Sequence, residues 1–275
     1  MLEFYAQRGP KLMLDETSVF DIGACFVHGV DIAPGPAVPD DGDARIRHSV
    51  QGFLFTCGPD HIRHPEPIKG QNDEKYPLHG SFSASPAHVT LFELGDQMSQ
   101  AEAEVLVTLA AGGRALLKRR WVIDGDSGVV ALSDELSNIG AAPFAPMWMY
   151  HMNIGAKHFD EKVKLSGAMF EPSEMDWTFG AGDGHVFCVP AGKGQARLSL
   201  GPMAAVKNTT LHVGFDTAEL PYLQMWRNQK RPAHVLGIEP VSHDWKSRGE
   251  LAEDGAMGQL QPGEMRRYGL QFSFS

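Results

Sequence analysis

Cysteine, clustered base and long apolar runs are scarce in this 275-residue chain, and each scarcity removes a class of function. The three cysteines, Cys25, Cys57 and Cys188, are too few and too widely spaced for a disulfide framework or a thiolate metal centre. A reducing cytoplasm is the expected compartment. Lys and Arg number 24 against 34 Asp and Glu, the formal charge is -10 with a pI near 5.6, and the basic residues are scattered. A nucleic-acid backbone needs clustered cations, so nucleic acid is not an expected partner. No window approaches ~18 continuous apolar residues, and the start Met1-Leu-Glu-Phe-Tyr-Ala-Gln-Arg8 has no apolar run behind a basic stretch. Neither a membrane span nor a standard secretion signal is expected. Internal repeats and low-complexity tracts are also missing.

What the chain has is turn chemistry and alternation. Thirty Gly and 18 Pro punctuate short runs in which apolar and polar residues alternate. Ala103–Leu109 and Ala115–Ile123 flank Ala110-Ala-Gly-Gly-Arg114 and read as a hairpin. The turn cluster Asp124–Gly128 leads to a third strand over Val129–Leu136, completing a meander. Further strands are predicted at His185–Val189, Ala196–Leu200, Thr210–Phe215, Ala233–Ile238 and Met265–Phe274. Ser99–Ala111 also has the Ala and Glu content of a helix, but alternation favours strand. The fold class that follows is all-β, built of large antiparallel sheets.

A single domain over residues 1–275 is expected. Such a length suffices for one substantial core. The Pro- and Asp-rich stretch Ala33–Asp43 reads as an exposed loop, and it lies too near the N-terminus to separate two domains. A second irregular stretch, His61–Lys75, runs into Leu78-His79-Gly80. Loops of this kind on a rigid sheet commonly carry sites.

Three segments hold the residues suited to acid–base chemistry: Leu78-His79-Gly80, Tyr150-His151-Met152-Asn153 and Gly237-Ile238-Glu239-Pro240. Imidazoles titrate near neutral pH, and a carboxylate becomes a useful base when its site raises its pKa. These segments belong to a longer ordered set: Tyr76-Pro-Leu-His-Gly80, Ser85-Pro-Ala87, Asp134–Gly140, Met149-Tyr-His-Met-Asn-Ile-Gly155 and Leu236-Gly-Ile-Glu-Pro240. From about residue 18 onward the set resembles the aldose 1-epimerase (galactose mutarotase-like) superfamily.

The resemblance implies a β-supersandwich and a reaction at the anomeric carbon of a free sugar. By that likeness Glu239 is the general base for the anomeric hydroxyl, His151 the general acid for the ring oxygen, and His79 an orienting donor. Arg63, Asn153, Gln224 and Trp226 are the implied sugar contacts, with Trp148 competing for the stacking role of Trp226. No metal or organic cofactor is called for, the partner is a small sugar, and a homo-oligomer stays open. The aspartate that several members use as a sugar contact has no counterpart by motif, so the sugar is not identified. Relatives commonly carry strands before the segment matching Ser18–Gly23, so a shortened member is expected, with Met1–Asp15 or a partner subunit expected to cover a sheet edge.

Other readings of the same residues stand beside this one. Glu239 also suits a strand-end carboxylate paired with a surface base, His151 a core imidazole, and His79 a turn cap. His61, His64, His79, His151 and Glu239 offer N and O donors for a metal-dependent isomerase or lyase, although their spacing matches no compact motif. A non-catalytic carbohydrate-binding domain is the third alternative.

Overall fold

In the computed structural model, residues 1–37, 50–71 and 73–275 are described. Two nine-stranded antiparallel sheets face each other. The first runs in the order Leu2–Phe4 (β1), Lys11–Asp15 (β2), Asp21–Val27 (β3), Leu54–Cys57 (β5), Met149–Gly155 (β12), Val235–Val241 (β19), Tyr222–Asn228 (β18) and Gly184–Pro190 (β15), with Val30–Asp31 (β4) paired to β3. The second runs Glu174–Asp176 (β14), Lys164–Gly167 (β13), Gln195–Met203 (β16), Thr209–Asp216 (β17), Met265–Phe274 (β20), Val130–Asn138 (β11), Arg114–Asp124 (β10), Met98–Thr108 (β9) and Ala87–Glu93 (β8). A small ribbon, Glu66–Pro67 (β6) with Lys75–Tyr76 (β7), lies outside both.

Alternation decides which face each strand buries. Along β9 and β10, buried and accessible residues alternate over eleven positions, so Ala101, Ala103, Val105 and Val107 turn inward with Ala115, Leu117, Trp121 and Ile123. The Ser99–Ala111 stretch is therefore strand through Thr108, with both neighbours β8 and β10 paired to it. Tertiary pairing overrides the helical propensity of its Ala and Glu residues. Ring contacts join the two sheets across the core: Phe53 meets Phe272 edge-on at 5.5 Å, and Trp148 stacks on Tyr268 at 4.2 Å.

The Met1–Asp15 segment supplies β1 and β2 at one end of the first sheet. In the loop predicted over Ala33–Asp43, Ala33 and Pro34 are buried instead of exposed, because Gly155 N donates to Ile32 O and the chain packs close over Gly155. Residues 38–43 lie outside the described residues. No helix among the described residues is long and apolar enough to cross a membrane.

A charged cluster is buried between the sheets under β5 and β12. Arg119 forks onto both carboxylate oxygens of Asp134 at 2.8 Å each and also contacts Asp21, Thr56 and the Val19 carbonyl; Tyr150 O–H donates to Asp134 at 2.8 Å. Every charge has a partner, the condition under which burial is tolerated. Thr56 and Tyr150 thus face inward, which turns their chain neighbours Phe55 and His151 to the outer face of the first sheet.

Candidate active site

Strand register aligns the outward side chains. β18 pairs Gln224 with Glu239, while β12 pairs Met149 with Val241 and Met152 with Ile238, so His151 falls opposite Glu239; β5 pairs Phe55 with His151. One row across four adjacent strands therefore reads Phe55, His151, Glu239, Gln224. The next row along β12 and β18 carries Asn153 and Trp226, with Gly237 between them. A Cβ on Gly237 would meet Glu239 Oε1 at 2.6 Å, Trp226 at 3.2 Å and His151 at 3.3 Å. Glycine in the Gly-Ile-Glu-Pro segment leaves room for the carboxyl group, the imidazole and the indole to converge.

Loops complete the wall. Segments 58–63 and 77–82 are stitched together by His79 N to Arg63 O (2.8 Å), Gly58 N to His79 O (3.0 Å) and Phe82 N to Gly58 O (2.8 Å). His79 adopts φ 58°, a left-handed conformation costly for a residue with a Cβ, and Gly80 follows at φ 85°. A Cβ at Gly80 would strike the His61 and Gly58 carbonyl oxygens. The short helix Arg248–Glu253 (α1) braces the same region: Ser247 and Glu250 form a reciprocal cap, and the Arg248 guanidinium lies 4.0 Å from the Tyr76 ring centroid.

The result is a cavity of about 320 Å³ whose lining includes His79, His151, Gln224, Trp226, Glu239 and Arg63. Six of the seven residues singled out by sequence reach it directly. Asn153 is fully buried beside it, and its Nδ2 donates to the carbonyls of Val50 and Gly52. Trp148 does not reach the cavity and belongs to the core between the sheets. Trp245 and His64 also line it. Trp245 was not singled out, since it lies in no periodic element and reaches the cavity by folding under Arg63, whose guanidinium sits 4.9 Å from its ring centroid.

A hydrogen-bond chain ties the polar groups together. Arg63 Nε donates to Gln224 Oε1 at 3.0 Å, and Gln224 Nε2 donates to Glu239 Oε2. These two contacts fix the orientation of the amide. Glu239 Oε1 lies 3.2 Å from His151 Nε2, within ion-pair distance but without the alignment of a hydrogen bond. Glu239 Oε1, His151 Nδ1 and Asn153 Oδ1 are left as buried polar atoms with no hydrogen-bond partner among the described residues. Such atoms are costly unless a ligand or water meets them.

Burial sets the protonation of the pair. Glu239 is inaccessible to solvent, and desolvation pushes its carboxyl up to about 8, against the smaller pull of the Gln224 hydrogen bond and the Arg63 charge. Desolvation likewise pushes His151 well below the usual imidazole value, with the His79 ring adding to the fall. At neutral pH these shifts make the pair a carboxylic acid beside a neutral imidazole, with one proton between the two groups. His79 Nδ1 is 3.2 Å from the Ile62 carbonyl and 3.4 Å from Cys57 Sγ, contacts that hold the ring in place. Among the described residues no group of three or more His, Cys, Asp or Glu could hold a metal ion, and His61 turns its Nε2 to the His64 carbonyl.

The sequence profile of DUF4432, a domain of unknown function, matches residues 11–274. The chain belongs to the DUF4432 family. No curated protein matches it. Solved structures similar to this DUF4432 chain include a provisionally assigned aldose 1-epimerase from Klebsiella pneumoniae, 18% identical with a TM-score of 0.75 over 97% of this chain and 77% of that one. A galactose mutarotase related enzyme from Lactobacillus acidophilus is 10% identical (TM-score 0.69; 100% and 97% covered). A galactose mutarotase-like protein from Clostridium acetobutylicum is 12% identical (TM-score 0.66; 99% and 94% covered). At these identities the likeness is one of fold: this DUF4432 chain has the galactose mutarotase-like sandwich.

Proposed function

We propose that this protein interconverts the α and β anomers of a free sugar by acid–base catalysed ring opening, with Glu239 and His151 as the proton-transfer pair. One observation carries the reading. A titratable oxygen and nitrogen stand 3.2 Å apart at the wall of the cavity. Anomer exchange needs such a pair, because the hydroxyl that loses a proton and the ring oxygen that gains one are bonded to the same carbon. Two proton carriers one hydrogen-bond length apart can address both at once.

In this account Glu239 and His151 take one proton from the anomeric hydroxyl and deliver one to the ring oxygen. Cleavage of the bond between the anomeric carbon and the ring oxygen gives the open-chain aldehyde. Rotation about the adjacent carbon–carbon bond presents its other face, and closure returns each proton in reverse. The pair starts and ends with one proton, so turnover needs no outside acid. His79 stands edge-on to His151 at 5.6 Å in the cavity wall, Asn153 braces the backbone of Val50 and Gly52 behind it, and the half-buried Trp226, whose ring is 5.6 Å from that of His151, offers an apolar face to the sugar ring.

The fold of the relatives and the burial of Glu239 support this reading over a surface carboxylate, since its side chain meets no surface base among the described residues. The test is exchange spectroscopy by NMR on wild type and Glu239→Gln across a panel of aldoses. Loss of exchange with retained sugar binding in the variant supports catalysis. Binding without acceleration by the wild type would instead establish a non-catalytic sugar-binding domain.

A further inference from the structure

Arg63 is more than a strut. Its guanidinium donates to three acceptors, Gln224 Oε1 at 3.0 Å, the Asp244 carbonyl at 2.8 Å and the His243 carbonyl at 3.0 Å. All three are neutral amide oxygens. A guanidinium has five N–H groups, so one on each terminal nitrogen stays uncommitted. The side chain is half-buried, and no carboxylate comes within ion-pair distance of it among the described residues. The Asp244 carboxylate is turned to the Trp245 backbone N–H instead.

An unpaired cation in a partly desolvated wall is an unfavourable arrangement unless something anionic completes it. Among the described residues the other lining groups supply no such partner: three imidazoles, two indoles, two amides, two valines and the carboxyl of Glu239, with no Asp and no Lys. The carboxyl accepts from Gln224 through Oε2 and sets Oε1 beside His151, beyond ion-pair distance of Arg63. In a chain of formal charge -10, the described residues of this cavity bring a permanent positive charge and no permanent negative one.

We propose that the substrate is a sugar acid, a monosaccharide whose carboxylate is received by Arg63 while its anomeric carbon faces Glu239 and His151. The identification rests on the anomeric reading of the same site. Size and charge narrow the class. A cavity of about 320 Å³ stands near the lower end for ligand sites and suits one sugar ring. A carboxylate brings one charge and two coplanar oxygens, matching one guanidinium with two uncommitted N–H groups. A phosphomonoester would bring nearly twice the charge and a third oxygen with no second cation to meet them. The stack of Arg63 on Trp245 holds the fork in place before ligand arrives, which lowers the ordering cost of binding.

The experiment compares uronic acids with their own uronamides, which keep the shape and remove the charge, using glucuronate, galacturonate and mannuronate. Anomer exchange is followed by NMR, and binding by calorimetry in parallel. The wild type should favour at least one uronate over its uronamide by about 10- to 100-fold in kcat/KM, the range of a charge-assisted pair. Arg63→Gln should bring that ratio to near one, Arg63→Lys should keep part of it, and thermal melts establish that both variants are folded. Equal rates for each uronate and uronamide, a ratio that survives Arg63→Gln, or a stronger preference for a sugar 6-phosphate would overturn the proposal. If no sugar exchanges, uronate binding that disappears in Arg63→Gln retains the anion site and removes the anomeric reading, whereas no uronate binding to wild type removes the site.

Discussion

Replacing Glu239 by glutamine should make the folded protein more stable, and increasingly so as pH rises. The carboxyl is held above its ordinary range by burial, from 4.5 to about 8. A group whose folded-state pKa is raised contributes its full stability below the unfolded value. That stability is lost as pH climbs through the folded one, because the unfolded chain releases the proton first. At about 1.4 kcal/mol per pH unit the whole effect is about 5 kcal/mol, of which about 3 has developed by pH 7. Glutamine occupies nearly the same volume and does not titrate; its amide can accept from Gln224 and donate to the neutral His151. Urea unfolding of both proteins at intervals between pH 5 and pH 9 measures the difference. It should grow by about 4 kcal/mol across that range and flatten above pH 8. The depressed titration of His151 is common to both proteins and largely cancels. A stability difference that does not change with pH, or a variant that grows less stable in alkali, would refute the claim that burial keeps Glu239 protonated.

Three further outcomes follow from the same geometry. Gly237→Ala places a Cβ 2.6 Å from Glu239 Oε1 and 3.3 Å from His151; steady-state kinetics should show kcat down by about 10- to 100-fold, with about 1–3 kcal/mol lost in denaturant unfolding. Gln224→Ala strands Glu239 Oε2 and Arg63 Nε and should cost about 1–3 kcal/mol. It should also move the alkaline limb of the rate profile to higher pH, since the Gln224 bond pulls the Glu239 pKa down. In the wild type, kcat should fall above about pH 8 as the pair loses its shared proton. On the acid side it should hold to below the ordinary imidazole range, because His151 resists a second proton; an acid limb with its midpoint near pH 6.5 would contradict this assignment.

Much of the second sheet was legible because its strands have one wet face. Met265–Phe274 was bounded as predicted, and the hairpin around Ala110–Gly113 closed where the glycines allow it, with Leu109 N donating to Gly113 O. The first sheet was harder to read. Every residue of β12 and β19 is buried, since the core covers one face and the cavity loops the other, so Met149–Gly155 shows no polar alternation. The strand over Ala233–Ile238 begins instead at Val235 and continues to Val241 through Pro240, a residue that ends few strands less conspicuously in sequence. The site was legible through its motifs, and its electrostatics were not. Nothing in Gly-Ile-Glu-Pro reveals that Gln224 lies directly across the strand pair from Glu239, or that Arg63 reaches it through that amide. Those contacts depend on register and on where the 58–63 loop folds back.

The most direct test of the central claim is anomer exchange itself. Exchange spectroscopy on wild type, Glu239→Gln and His151→Asn, with uronates and neutral aldoses in the panel, should show acceleration by wild type alone. Both variants should still bind the sugar that the wild type turns over. Undiminished exchange in either variant, or none by the wild type with any sugar, would contradict a Glu239–His151 proton-transfer pair acting at the anomeric carbon.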